Sequence, residues 1–173
     1  MNRSGAPIIY MSCGISGSGK SHFCNKFIKA GNTVELNLDN NRKALSGDIS
    51  NQDVNKAAVD KMNSDMAKYL AGSYNVFLSN TNLSISGINA VAKKYPLNDV
   101  VVFLIRDSLD VQLCKDRVAD DIASGVDRSN VPMDVIDKQA ERFNKVVDGI
   151  KAGQLEDNVE VMWVENDLQL TRF

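Results

Sequence analysis

Ile8-Ile9-Tyr10-Met11-Ser12-Cys13-Gly14-Ile15-Ser16-Gly17-Ser18-Gly19-Lys20-Ser21 is the stretch that decides the fold. Its second part, Gly14 to Ser21, is a complete G-x-x-x-x-G-K-[ST] phosphate-binding loop. The apolar run from Ile8 to Met11 reads as a buried strand, and Ser21 to Ala30 reads as a helix. Strand, glycine loop and helix form the context that turns a pattern match into a site. Gly14, Gly17 and Gly19 let the backbone curl so that its N–H groups point inward at an anion, which makes Gly14, Ile15, Ser16, Gly17, Ser18, Gly19, Lys20 and Ser21 the nucleotide-binding candidates. The helix start adds a partial positive charge at the same place. Lys20 is then placed for the β- and γ-phosphates of a nucleotide, and the Ser21 hydroxyl for Mg²⁺.

The remaining composition is that of an ordinary globular chain. Of its 173 residues 43% are hydrophobic and 24% charged, which predicts a single domain over residues 1–173. No apolar run approaches the roughly 20 residues that span a bilayer, and residues 1–7 lack the apolar stretch of a signal peptide. A cytoplasmic protein is expected, in host cytoplasm for a phage-encoded chain, with no membrane partner. Cys13, Cys24 and Cys114 have no metal-like spacing and read as reduced, buried thiols. The net charge of −2 argues against coating nucleic acid through bulk positive charge. Residues 1–47, however, hold Arg3, Lys20, Lys26, Lys29, Arg42 and Lys43 against Glu35 and Asp39, a net of +4, so the rest carries −6. The positive end is the end with the phosphate loop, as suits a phosphorylated ligand.

Strand-like and helix-like segments alternate along the chain. Strands are predicted at 33–38, 76–78, 100–105 and 159–164. Helices are predicted at about 51–71, at 85–95 before Pro96, at 108–124 and at about 133–150. Such alternation implies parallel crossovers and a three-layer α/β/α sandwich around a parallel sheet of about five strands. Ligands bind such folds beyond the carboxyl ends of the strands. The candidates are therefore residues 14–21, 39–43, 79–82 and 125–132.

Asp39-Asn40-Asn41-Arg42 places a carboxylate at a strand end and a guanidinium three residues on. Transfer of phosphate to an alcohol benefits from a base, a role that Asp39 suits. Asp39 is equally suited to be the N-cap of the next helix. Arg42 suits a bidentate grip on an acceptor phosphate or neutralisation of the transferred group. Ser79-Asn80-Thr81-Asn82-Leu83 offers Asn80, Thr81 and Asn82 either as acceptor contacts or as another helix cap. Positive charge over the β–γ bridge often comes from a lid. Arg128, between Gly125 and Pro132, is favoured over Arg117 for that role, within a helical lid over about residues 117–132.

Gly14–Ser21, Asp39–Arg42, Ser79–Leu83 and Val131-Pro132-Met133-Asp134-Val135-Ile136 followed by Glu141-Arg142-Phe143 together resemble the kinase domain of the 5′-polynucleotide kinases of phage and nucleic-acid repair. The resemblance runs from the phosphate loop to about residue 147 and implies a fold of P-loop kinase type. It implies transfer of the γ-phosphate of ATP, or another NTP, to the 5′-hydroxyl end of DNA or RNA. Asp39 would be general base, Lys20 and Ser21 would hold phosphates and metal, and Asp39 would share the Mg²⁺. Arg42 would meet the acceptor's 3′-phosphate or the reacting group, and Arg128 or Arg117 the donor phosphates. Many members of that family carry an acidic residue where Asn80 stands. Relatives often carry a phosphatase domain as well. The sequence contains no D-x-D-x-T/V pattern, so kinase activity without 3′-phosphatase activity is expected. Two alternatives share the loop: a small-metabolite kinase of adenylylsulfate-kinase or nucleotide-kinase type, and an ATP-hydrolysing switch or RNA-binding module. Oligomeric state and the choice between DNA and RNA have no signature in the sequence.

Overall fold

The computed structural model describes residues 5–29, 31–49, 51–126, 131–166 and 168–173. The chain runs β1 (Ile9–Cys13), α1 (Lys20–Ile28), β2 (Thr33–Leu36), α2 (Leu38–Ser46), α3 (Asn55–Ala71), β3 (Asn75–Leu78), α4 (Ile85–Lys94) and β4 (Val100–Ile105). A 3₁₀ turn at Arg106–Leu109 leads into α5 (Val111–Ala123), α6 (Met133–Lys151), β5 (Val159–Val164) and β6 (Leu170–Arg172). Among the described residues the strands form a six-stranded sheet in the order β2-β3-β1-β4-β5-β6. Neighbours from β2 to β5 pair in parallel, and β6 pairs antiparallel with β5. The sheet is therefore parallel as expected, but it carries an antiparallel edge strand that the sequence reading lacked. β6 is three exposed residues long and has no periodicity to reveal it.

Alternate residues of each central strand face opposite layers. Ile9, Met11, Cys13, Val76, Leu78, Val100, Val102 and Leu104 meet Met66 of α3, Ile88 and Ala92 of α4, Cys114 and Val118 of α5, and Ile136, Phe143 and Val146 of α6. The opposite face carries an aromatic cluster. Phe77 and Phe103 of the sheet pack with Phe23 of α1, and Tyr10 and Phe27 pack against them. The Phe23 and Phe103 rings meet edge to face at 4.9 Å and those of Tyr10 and Phe27 at 4.7 Å. The i, i+4 pair Phe23 and Phe27 thus seats α1, and with it the phosphate loop, on the sheet.

Three predicted boundaries shift for identifiable reasons. β2 ends at Leu36, because Asn37 turns to cap α2. α3 starts at Asn55, after a turn at 53–54. The helix expected from Ser108 is divided: Asp110 accepts a hydrogen bond from the Leu113 N–H at 3.0 Å and starts α5 afresh. Among the described residues, no helix is long and apolar enough to cross a membrane.

Candidate active site

β1 lies at the centre of the sheet with β3 on one side and β4 on the other, so its carboxyl end opens at a switch point in strand order. A cleft of about 950 Å³ lies there. The loop contributes Ser16, Gly17, Gly19, Lys20 and Ser21 to its lining. Gly14, Ile15 and Ser18 lie buried beneath. The loop is held by long-range contacts. The Gly14 N–H donates to the Thr81 carbonyl at 3.1 Å, and the Ile15 N–H donates to Ser108 Oγ at 3.2 Å. The Ser16 N–H donates to Gln139 Oε1 at 2.8 Å. Lys20 Nζ reaches the Ile15 carbonyl at 2.6 Å. Ser18 Oγ is buried with no hydrogen-bond partner among the described residues.

Gly17 has φ +81° and no space for a side chain, since a Cβ there would lie 2.1 Å from the Cys114 carbonyl oxygen. Gly19 has φ +91° but nothing within 4 Å of its Cβ position. Gly17→Ala must displace the α5 backbone and should cost about 2–4 kcal/mol, against about 1 kcal/mol for Gly19→Ala. Urea unfolding of the two variants measures the difference. Equal losses would mean that the Gly17–Cys114 contact constrains nothing.

The side chain that caps α2 is Asn37, whose Oδ1 accepts from the N–H groups of Asp39 at 2.7 Å and Asn40 at 3.2 Å. Asp39 is therefore in the first helical turn, and its carboxylate is spared for other work. It pairs with Arg42 Nη2. Arg42 also donates from Nε to the Ile49 carbonyl at 2.9 Å and from Nη1 to Asn55 Oδ1 at 3.1 Å. The Arg42 side chain is 9% exposed and that of Asp39 is 39% exposed. Burial pushes the Arg42 pKa below its ordinary value. A buried cation thus orients a carboxylate that opens on the same cleft as Lys20.

The segment after β3 divides its work. Asn80 accepts from the Leu38 N–H at 2.9 Å, and Asn80 and Thr81 line the cleft. Asn82 does not. At φ 47° it donates to the carbonyls of Ser12, Leu78 and Asn80 and ties β1 to β3. Arg117 of α5 lines the cleft, with Nη1 2.6 Å from Asp107 Oδ2 and 3.4 Å from the Gly17 carbonyl. Arg128 lies outside the described residues. Sequence reasoning missed Asp107, Ser108 and Gln139. The rule that points beyond strand ends applies equally to residues 106–108 after β4, and would have found the first two. All three cysteines are buried and free. Burial pushes the Cys13 and Cys24 thiols up to about 12 and the Cys114 thiol up to about 11, so they are packing residues and not nucleophiles.

Magnesium fits this donor set. Ser21 and Asp39 supply hard oxygen atoms on the cleft wall. Mg²⁺ takes one or two protein oxygens and completes its shell with phosphate and water, so it needs no protein cage. Among the described residues there is no cluster of three or more His, Cys, Asp or Glu side chains.

The AAA domain family matches residues 9–146. No curated protein matches the chain. A chain in the structure of the Pnkp1/Rnl/Hen1 RNA repair complex shares the fold at 20% identity and TM-score 0.72, over 83% of this chain and 46% of that one. A second Pnkp1/Rnl/Hen1 complex matches at 24% identity and TM-score 0.56, over 64% and 38%. The chain thus spans less than half the length of those two neighbours. A chain of the PezAT chromosomal toxin-antitoxin system of Streptococcus pneumoniae matches at 18% identity and TM-score 0.63, over 96% and 71%. With a glycine loop clamped between β1 and α1 at the switch point of a mainly parallel sheet, and a match across most of its length, the chain belongs to the AAA domain family and has a P-loop kinase-like fold.

Proposed function

We propose that this chain is a polynucleotide 5′-hydroxyl kinase, which transfers the γ-phosphate of ATP to the 5′-hydroxyl end of DNA or RNA. The observation that carries the reading is the Asp39 carboxylate, freed from capping by Asn37, braced by buried Arg42 and open on the cleft that the phosphate loop lines. A group so placed can accept the proton of an attacking alcohol. Loop N–H groups and Lys20 would hold the donor phosphates, and Arg117, leaning over Gly17 from α5, would meet charge developing on the transferred group. Ser21 and Asp39 would hold Mg²⁺, which screens the phosphate charge when bound. Asn80 and Thr81 would contact the acceptor, as would the two Arg42 donor hydrogens not spent on Ile49, Asn55 and Asp39. Arg128 stays a candidate for the donor side on sequence grounds. The reading is supported further by the shared fold with a chain of an RNA repair complex.

A second reading keeps the reaction and changes the acceptor to a small metabolite. It is favoured by the engagement of Arg42, three of whose donors are met within the protein. One assay separates the readings. The protein is incubated with γ-labelled ATP and Mg²⁺ and with a 5′-hydroxyl oligonucleotide, a nucleoside monophosphate, adenylylsulfate or no acceptor. The proposal expects label on the oligonucleotide. Label only on a small acceptor overturns it in favour of the second reading, and labelled free phosphate alone indicates a hydrolytic switch.

A further inference from the structure

α6 touches the phosphate loop through one side chain. Gln139 lies 123 positions from Ser16 in sequence, yet its Oε1 accepts the Ser16 N–H at 2.8 Å. This amide hydrogen belongs to the phosphate-loop stretch from Gly14 to Ser21. Gln139 also lines the cleft. A carboxamide has one accepting edge and one donating edge. The Ser16 donor fixes which edge faces the loop, so the Nε2 hydrogens remain for a ligand. Among the described residues Nε2 makes no hydrogen bond. The position is well braced. Lys115 of α5 and Asp137 of α6, two positions before Gln139, form an ion pair at 2.7 Å, and Gly17 is packed against the Cys114 carbonyl.

We propose that Gln139 is a further contact for the donor polyphosphate, holding the Ser16 N–H through Oε1 and donating from Nε2 to a phosphate oxygen. The inference rests on reading the loop as a polyphosphate site. It explains why a neutral amide suits this position. A carboxylate there would keep the bond to Ser16 and turn its second edge from donor into acceptor, facing an anion. A residue that merely braced the loop would tolerate that exchange.

Gln139→Glu is therefore the test, read by calorimetric titration with ATP and Mg²⁺. The glutamate variant should retain its thermal midpoint without nucleotide and bind ATP about tenfold or more weakly, as expected for a donor replaced by a like charge. Its deficit relative to the parent protein should narrow between about pH 8 and about pH 5, as the carboxyl regains a proton that it can donate. A loss smaller than tenfold, with Lys20→Ala binding ATP poorly, would leave the loop reading intact and overturn the role of Gln139. Unchanged binding by Lys20→Ala would overturn the loop reading and this inference together. Should the glutamate variant not fold, Gln139→Met replaces it. A loss of ATP affinity above about twofold with adenosine affinity unchanged supports the contact, and any other result overturns it.

Discussion

Asp39→Asn lowers turnover about 10²–10⁴-fold and leaves ATP affinity nearly unchanged, the effect expected when a general base loses its ability to take a proton. The substitution leaves the helix and the other Arg42 contacts in place. Asn37 caps α2 and keeps that helix in place. Arg42 keeps the Ile49 carbonyl and Asn55, and an asparagine Oδ1 still accepts from its Nη2. Because the carboxylate is 39% exposed, loss of the charged pair should cost only about 1–2 kcal/mol of stability. Steady-state kinetics beside urea unfolding separate the two roles. Near-normal turnover with reduced stability would make Asp39 a structural partner of Arg42 and nothing more.

Lys20→Ala lowers kcat/KM for ATP about 10²–10³-fold, the size of effect seen when one preorganised donor is removed from a developing anion. The Lys20 side chain is anchored to the Ile15 carbonyl and lies at the first position of α1. It caps no strand and fills no core, so the fold should survive its truncation. The rate loss should appear with any acceptor, because the residue acts on the donor. Initial rates with an oligonucleotide and with a small acceptor provide the measurement. A loss confined to one acceptor would move Lys20 to the acceptor side.

The parts of the site written in local sequence were legible. The loop from Gly14 to Ser21 encodes its own curl; β4 is an unbroken apolar run and β5 is apolar but for Glu160, and their ends match the structure at Val100–Ile105 and Val159–Val164. Asp39 was ambiguous, because Asn37 and Asp39 are both good capping residues and only the hydrogen bonds show that Asn37 does the capping. In sequence Asn82 offers itself equally as an acceptor contact or as part of a helix cap. It is instead an asparagine in left-handed backbone, a conformation its type tolerates, with its amide spent on three carbonyls. What supports the loop from afar was not legible. Ser108 and Gln139 lie 93 and 123 positions from their partners. No local pattern marks such contacts, which arise only when the sheet order brings the end of β4 and the start of α6 beside β1.

One distance decides the role of Asp39: that between its carboxylate oxygen and the acceptor's hydroxyl oxygen when donor and acceptor occupy the cleft together. A crystal structure with a non-hydrolysable ATP analogue, Mg²⁺ and a short 5′-hydroxyl oligonucleotide would measure it. The prediction is a triphosphate on the loop formed by Gly14 to Ser21, with the 5′-oxygen about 2.6–3.2 Å from Asp39. An oligonucleotide bound elsewhere, or an Asp39 turned from the reacting oxygen toward Arg42 alone, would contradict it.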